Sequence, residues 1–219
     1  MKRRRNVLLS AATVGLVAVG LSGALFILLN VLDRPLAQPV QPNAPTPGLA
    51  VQYTPAASDV TARTLYPLAL ERARSWRADA QLVSARGLWD KTAINLVGRP
   101  VEWDYRFYSA EARLLYFVTV KPDGQVAGTQ HLRTVNQPPG LPVDDWQIDS
   151  PAALTSWLNG GGGQFLGSRP GSQVVAQLSA RSAGAAPAWT VVGYDRAKEE
   201  YLAISVQAAS GETKVIGNQ

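Results

Sequence analysis

The chain has 219 residues, of which 46% are hydrophobic and 17% are charged, with one histidine and no cysteine. The absence of cysteine excludes a disulfide framework, a thiolate metal site, a catalytic thiol and a lipid-modified N-terminal cysteine. The formal charge of +5 comes mostly from the N-terminus: residues 1–34 hold five basic side chains and one acidic one, and the rest of the chain holds 16 basic and 15 acidic ones. The net charge therefore gives no reason to predict a nucleic-acid partner.

The first predicted element is a transmembrane helix over residues 7–32. These 26 residues carry no charge, and at about 1.5 Å per residue they are long enough to cross a hydrocarbon core of about 30 Å. A cleaved signal peptide is the alternative, because the N-terminus is basic. Its apolar region is typically shorter, however, and cleavage after Ala24 would leave an apolar run from Leu25 exposed to water. We therefore expect a permanent single-pass anchor.

The charges beside this segment predict its orientation. Lys2 and the three arginines that follow it lie directly before the apolar run, whereas Arg34 follows the run next to Asp33. By the positive-inside rule, residues 1–6 form a cytoplasmic tail and the chain beyond residue 32 lies outside the cytoplasm. The predicted location is the cell membrane, so the membrane is the first predicted partner.

Residues 33–57 are predicted to form a linker. The stretch contains six prolines, at positions 35, 39, 42, 45, 47 and 55, which excludes a helix or a central strand and favours an extended polyproline conformation. We interpret it as a spacer that holds the following domain away from the bilayer. A ligand for an SH3-like module is the alternative.

A weak internal repeat follows, in residues 58–136 and 150–219, with a connector over 137–149 that is rich in proline and glycine. In each copy a tryptophan precedes a turn glycine by 21 or 22 residues, as Trp103 precedes Gly124 and Trp189 precedes Gly211. Two alternating apolar runs separated by a polar tip lie between them, which predicts an antiparallel hairpin. Further strands are predicted before each tryptophan and after each glycine, over 80–86, 125–134, 175–181 and 212–216.

A helix is predicted before the first strand of each sheet. Apolar residues recur at helical spacing from Thr61 to Arg77, where Pro67 either kinks the helix or marks its first turn. In the second copy Ser150 is the predicted cap and Pro151 the first helical residue. The predicted fold class is α+β: one transmembrane helix and two tandem units of a helix on an antiparallel sheet, packed as one rigid body.

This order of parts resembles membrane-anchored bacterial proteins with tandem PepSY-like, cystatin-like domains. The best local match is residues 189–215, where a W-x-V strand, a polar tip, an apolar strand and a Ser-Gly-Glu turn resemble the end of a PepSY unit. The four glycines at 160–163 depart from the pattern, since they interrupt the second helix. The resemblance implies a small envelope domain that binds or restrains other proteins, peptidases included, without catalysis.

Few residues suggest a reaction. His131 lies on a predicted strand without a second histidine, so we interpret it as a surface or packed residue. Glu199 and Glu200 are adjacent and would point to opposite faces of a hairpin. The four glycines lack the Gly-Lys-Ser or Gly-Lys-Thr of a phosphate loop, so they predict a flexible helix break. No Gly-x-Ser-x-Gly motif is present. We predict no catalytic residue and no cofactor.

Asp144, Asp145 and Asp149 form the one acidic cluster whose carboxylate oxygens could bind a calcium ion. The cluster lacks the spacing of an EF-hand, so an acidic loop in which Asp149 or Ser150 caps the next helix is the preferred interpretation, and no metal is predicted.

The tryptophans divide into two groups. Those at matching places in the two copies are predicted to lie in the core, namely Trp76, Trp103, Trp157 and Trp189. Trp89 and Trp146 lie in predicted connectors. If they are exposed, they and the neighbouring Asp144 and Asp145 are the best candidates for a partner-binding edge.

The sequence thus favours a non-catalytic, membrane-tethered extracytoplasmic binding or regulatory module that acts on another envelope protein. The alternative is a structural accessory subunit of a larger membrane complex. Gly15, Gly20 and Gly23 would let the transmembrane helix approach other helices closely.

Overall fold

The structure, a computed structural model, describes residues 60–90, 96–97, 99 and 101–218, with the backbone alone at 129–132. Within these residues the fold is α+β, with one large antiparallel sheet and a few helices. The predicted cytoplasmic tail, transmembrane helix and linker lie outside the described residues. Among the helices that the structure describes, none is long and apolar enough to cross a bilayer.

Helix α1 spans Ala62–Trp76 and agrees with the helix predicted over 61–77. It begins after Thr61, whose hydroxyl accepts a hydrogen bond from the Thr64 N–H, while the Thr64 hydroxyl accepts one from the Thr61 N–H. This reciprocal capping box satisfies two main-chain donors that the first turn would otherwise leave unpaired. Pro67 lies inside the helix, so it does not mark the first turn.

Four strands follow α1, and four more follow a second helical region. Alternation of apolar and polar side chains favours strands, and burial of every second residue is clear along most of β2, β3 and β5. The strands are β1 Gln81–Trp89, β2 Trp103–Ser109, β3 Leu114–Val120, β4 Val126–Arg133, β5 Gln173–Ser179, β6 Ala188–Asp195, β7 Glu200–Gln207 and β8 Thr213–Asn218.

All eight strands belong to one sheet, in the order β4-β3-β2-β1-β5-β6-β7-β8, and each neighbouring pair is antiparallel. We expected a separate sheet in each repeat, with β1 and β5 as first strands. Instead these two strands pair with each other, from Ser84 opposite Ser179 to Trp89 opposite Val174. The pairing satisfies the main-chain N–H and C=O groups that two separate sheets would leave unpaired along β1 and β5.

Turns at matching places in the two halves have the same backbone conformation. Arg113 at the tip of the β2–β3 hairpin has φ 55°, and Glu199 at the tip of β6–β7 has φ 56°. The next turns contain Gly124 with φ 83° and Gly211 with φ 78°. The order of helix, strands and turns therefore occurs twice along the described chain.

The helices and the connector pack against one face of the sheet, which we call the inner face; the opposite one is the outer face. Trp103, Trp157 and Trp189 are fully buried there, as predicted, and Trp76 is half-buried. The rings of Trp103 and Trp189, which lie at matching places in the two halves, meet edge to face with centroids 6.0 Å apart. Gly87 makes room for the rings of Trp89 and Trp103, because a Cβ at this position would lie 3.0 Å from each of them.

The second helical region consists of helix α2, Ser150–Trp157, a wider π turn, Leu158–Gly162, and helix α3, Gly163–Ser168. The predicted break at residues 160–163 is therefore present. Gly161 has φ 115°, which side-chain-bearing residues rarely adopt. A Cβ at Gly162 would lie 2.3 Å from the Trp157 ring. The glycines thus permit both the backbone turn and the close packing of Trp157.

The N-termini of α1 and α2 lie side by side and share their caps. Asp149, not Ser150, is the cap of α2, and its Oδ1 accepts hydrogen bonds from Ser150 N at 2.6 Å and from Arg63 N at 3.2 Å. The Ser150 hydroxyl accepts from Ala62 N at 3.2 Å. Because helix N-termini carry partial positive charge, one carboxylate stabilises both helices.

Substitution of Gly193 tests the packing on the inner face. A Cβ at this position in β6 would lie 2.5 Å from the Trp157 ring and 3.1 Å from Phe165, so we expect Gly193→Ala to lower the free energy of unfolding by about 1–3 kcal/mol. In Gly167→Ala the new Cβ meets nothing within 4 Å, and helix propensity favours a gain of up to about 1 kcal/mol. Urea unfolding of both variants measures the difference; equal effects would contradict this account.

Candidate functional site

The structure places Trp89 and Trp146 in the core, with exposed fractions of 3% and 0%. Trp89 ends β1 on the inner face, and its indole N–H donates to the Arg99 carbonyl at 3.2 Å. The Trp146 ring lies edge-on to Tyr66 and Trp189, with centroid distances of 5.9 and 6.0 Å. Both rings are buried on the inner face of the sheet. The two tryptophans therefore do not form the partner-binding edge that was predicted for exposed rings.

The predicted acidic cluster is divided by the fold. Asp144 and Asp145 are exposed in a short 3-10 turn over Val143–Asp145. The carboxylate of Asp149 instead accepts main-chain hydrogen bonds at the two helix N-termini. Among the described residues, no group of three or more metal-binding side chains of the His, Cys, Asp or Glu type comes together.

The remaining candidate residues are dispersed. Glu200 forms an ion pair with Arg169, whereas Glu199 is exposed. His131 lies in β4, where its backbone is opposite Tyr116, and its side chain lies outside the described atoms. Apart from the ion pair of Glu200 with Arg169, the described atoms of these residues bring no acidic and basic groups together.

A surface that the sequence analysis did not single out lies on the outer face, near the middle of the sheet. It is formed by side chains that alternate with the core residues of β1, β2 and β3, and we call it the outer-face patch: Arg86, Asp104, Arg106, Phe117 and Thr119. In the strand register, Arg86 is opposite Asp104, Asp104 is opposite Thr119, and Arg106 is opposite Phe117. The helices occupy the inner face, so no described helix covers this patch.

The two arginines of the patch are half-buried, and neither forms an ion pair with a described residue. Asp104 is the nearest carboxylate in the register, but its Oδ1 accepts a hydrogen bond from the Thr119 hydroxyl at 2.6 Å. The guanidinium of Arg106 lies 5.5 Å from the centre of the Phe117 ring, a cation–π contact. Burial lowers the pKa of Arg106, the like charge of Arg86 lowers it further, and Asp104 acts in the opposite direction.

Apolar side chains border the patch. Leu88 follows Arg86 on the same face and is 42% exposed, and Val175 lies opposite it on β5. Leu115 and Tyr108 face each other on β3 and β2 beside Arg106. Two arginines on a partly apolar surface can donate forked hydrogen bonds to a carboxylate while the apolar neighbours exclude water.

The sequence contains one signal that points to this patch: Arg86, Asp104 and Arg106 fall at the outward positions of alternating strands. Their proximity, however, depends on how β1 and β2 align, and a bulge between Leu82 and Ser84 shifts that register. Comparison of the chain with protein-family models, with curated proteins and with solved structures finds no match.

Proposed function

We propose that the chain is a non-catalytic, membrane-tethered extracytoplasmic module that binds another envelope protein through the outer-face patch. The observation that carries this proposal is the pair Arg86 and Arg106, which are half-buried and form no ion pair with a described residue, on the face that no described helix covers. A half-buried guanidinium has already lost part of its hydration, so a carboxylate that binds it incurs a smaller desolvation cost.

The membrane tether and the extracytoplasmic location rest on the sequence. The support is the uncharged stretch over residues 7–32 and the basic cluster before it. The proposed PepSY-like, cystatin-like nature of the two repeats is supported by the order of a helix followed by four antiparallel strands. A protein-binding role agrees with that resemblance.

A photo-crosslinking amino acid at Leu88 tests the proposal in native membranes. We expect the full chain to form one discrete crosslinked product with another envelope protein. Arg86→Glu combined with Arg106→Glu should reduce its yield at least about tenfold, because two attractive charges become repulsive. The matched control is Arg181→Glu with Arg196→Glu, which makes the same charge change at exposed positions outside the patch and should leave the yield unchanged.

Two results would overturn the proposal. A product that survives the reversal at Arg86 and Arg106 would place the partner elsewhere, and an equal loss in the control would indicate a nonspecific effect of net charge. Far-UV circular dichroism of both double variants establishes that the sheet is intact.

The accessory-subunit alternative rests on the small residues Gly15, Gly20 and Gly23 in the predicted transmembrane helix. Replacement of residues 7–32 with an unrelated transmembrane helix separates the two functions. Crosslinking from Leu88 should persist if the extracytoplasmic module binds the partner, and it should disappear if the membrane helix does.

A further inference from the structure

A cleft with a volume of about 410 Å³ lies on the inner side of the sheet, beside the first residues of β1. Helix α1 forms one wall, with Tyr66, Leu70 and Arg74. The other walls are formed by the start of β1, by the connector at residues 140–143 and by Gly184 in the β5–β6 turn. A hydrogen bond of 2.7 Å from Leu141 N to the Leu82 carbonyl holds the connector against β1. The cleft shares no residue with the outer-face patch, so it is independent of the function proposed above.

Three polar side chains at this cleft form no ion pair and no side-chain hydrogen bond with a described residue. Arg74 is exposed and forms no ion pair, Gln81 is exposed and forms no side-chain hydrogen bond, and the Tyr66 hydroxyl neither donates nor accepts one. Polar groups that converge on a concave apolar surface are typical of sites that bind small ligands or peptide ends. The described structure gives these three groups no internal role.

The Tyr66 ring is held in place by other aromatic rings. It stacks on Phe107 with an angle of 13° between the ring planes, and it lies edge-on to Trp146. Burial raises the pKa of Tyr66, and the positive charge of Arg74 partly offsets that rise. The hydroxyl is therefore a neutral donor at pH 7, in a fixed position near the positive charge of Arg74.

The floor and the far wall of the cleft are apolar. Leu82 and Leu141 are almost fully buried, while Leu70, Pro142 and Val143 are half-buried. This surface can bury an aliphatic or aromatic side chain, which stabilises binding roughly in proportion to the apolar area removed from water.

We propose that this cleft binds the C-terminal end of a peptide whose last residue is apolar. The carboxylate binds Arg74 and the Tyr66 hydroxyl, and the apolar side chain packs on the half-buried Leu70, Pro142 and Val143. Charge complementarity selects the carboxylate, since Arg74 forms no ion pair with a described residue and the described lining contains no acidic residue.

Main-chain groups favour a peptide over a simple fatty acid. Gly140 and Gly184 line two different walls, and their N–H and C=O groups make no hydrogen bond with a described residue. They can pair with the amide groups of a peptide, as in other sites that capture peptide ends. A fatty acid has no amide groups to pair with these main-chain groups or with Gln81, so it would gain none of these hydrogen bonds.

The test uses the full chain purified in detergent and a tetrapeptide, Gly-Ser-Ala-Phe, labelled at its N-terminus with fluorescein. Fluorescence anisotropy should show saturable binding with Kd below about 1 mM. Arg74→Gln should raise Kd about fivefold or more, because a charge-assisted hydrogen bond is lost at a partly exposed site. Tyr66→Phe keeps the ring contacts and removes only the hydroxyl, and a rise of about threefold is expected.

Arg77→Gln is the matched control, because Arg77 is also exposed, lies at the C-terminal end of α1 and does not line the cleft. It should leave Kd unchanged. The same peptide with an amidated C-terminus should bind about fivefold more weakly, and hexanoate at equal concentration should not displace the acid form.

Equal binding of the acid and amide peptides, equal effects of the Arg74 and Arg77 variants, or no saturable binding up to about 5 mM would each overturn the proposal. Displacement by hexanoate would also overturn it, since the ligand would then be a simple carboxylate. Binding that survives charge reversal at Arg86 and Arg106 would establish that the two sites are separate.

Discussion

Trp189→Ala is expected to lower the free energy of unfolding by about 3–5 kcal/mol, the usual cost of emptying a fully buried tryptophan site. The Trp189 ring is 0% exposed and contacts the rings of Trp103 and Trp146 with centroids 6.0 Å away in each case. It therefore joins the connector to both halves of the sheet. Urea unfolding followed by far-UV circular dichroism measures the loss.

The matching tryptophan of the first half supplies a control. Trp189 N–H donates to the Ile148 carbonyl at 2.7 Å, whereas the buried Trp103 N–H has no hydrogen-bond partner among the residues that the structure describes. Phenylalanine removes the N–H and keeps an aromatic ring at both positions. We expect Trp103→Phe to be milder than Trp189→Phe by about 1 kcal/mol, because only the second removes a hydrogen bond and leaves a partly buried carbonyl without its donor. The opposite order would contradict the role of this hydrogen bond.

Asp149→Ala should lower the free energy of unfolding by about 2–3 kcal/mol. The substitution removes the acceptor for Ser150 N and Arg63 N, so the first turns of both helices lose a cap. Each lost cap is typically worth about 1 kcal/mol, and the carboxylate charge contributes further at two helix N-termini. The measurement is urea unfolding of the full chain.

Two variants separate the contributions at Asp149. Asp149→Asn keeps an oxygen acceptor and removes the charge, so its loss should be smaller than that of the alanine variant. Asp144→Ala removes an exposed carboxylate from the neighbouring turn and should change stability by less than about 0.5 kcal/mol. A shared cap would be refuted if Asp144→Ala and Asp149→Ala had equal effects.

The local elements could be predicted because their determinants are close together in the chain. The alternation from Trp103 to Val120 defines both strands of a hairpin, and its burial pattern in the structure follows that alternation. Likewise, Thr61 marks the start of α1 through a capping interaction with a residue three positions later. Such patterns also predicted that the glycines at 160–163 interrupt the second helix.

The candidate surfaces could not be predicted in the same way. Arg86 and Arg106 are 20 residues apart in the chain, and only the pairing of β1 with β2 brings them to one surface. The sequence pattern predicts that the first strand ends at residue 86, which places Trp89 in a connector. The strand continues to Trp89, and its inward position buries the ring. The cleft at Tyr66 and Arg74 requires α1, the connector and the β5–β6 turn to meet.

The sequence by itself determined the helices, the strands and the turns between them, since these depend on propensity, periodicity and capping within about 20 residues. Only the tertiary structure decided that β1 pairs with β5, that one carboxylate caps two helices and that two tryptophans in connecting regions are buried. Each of these features depends on contacts between residues more than 40 positions apart in the chain. No local sequence pattern encodes the strand register that brings such residues together.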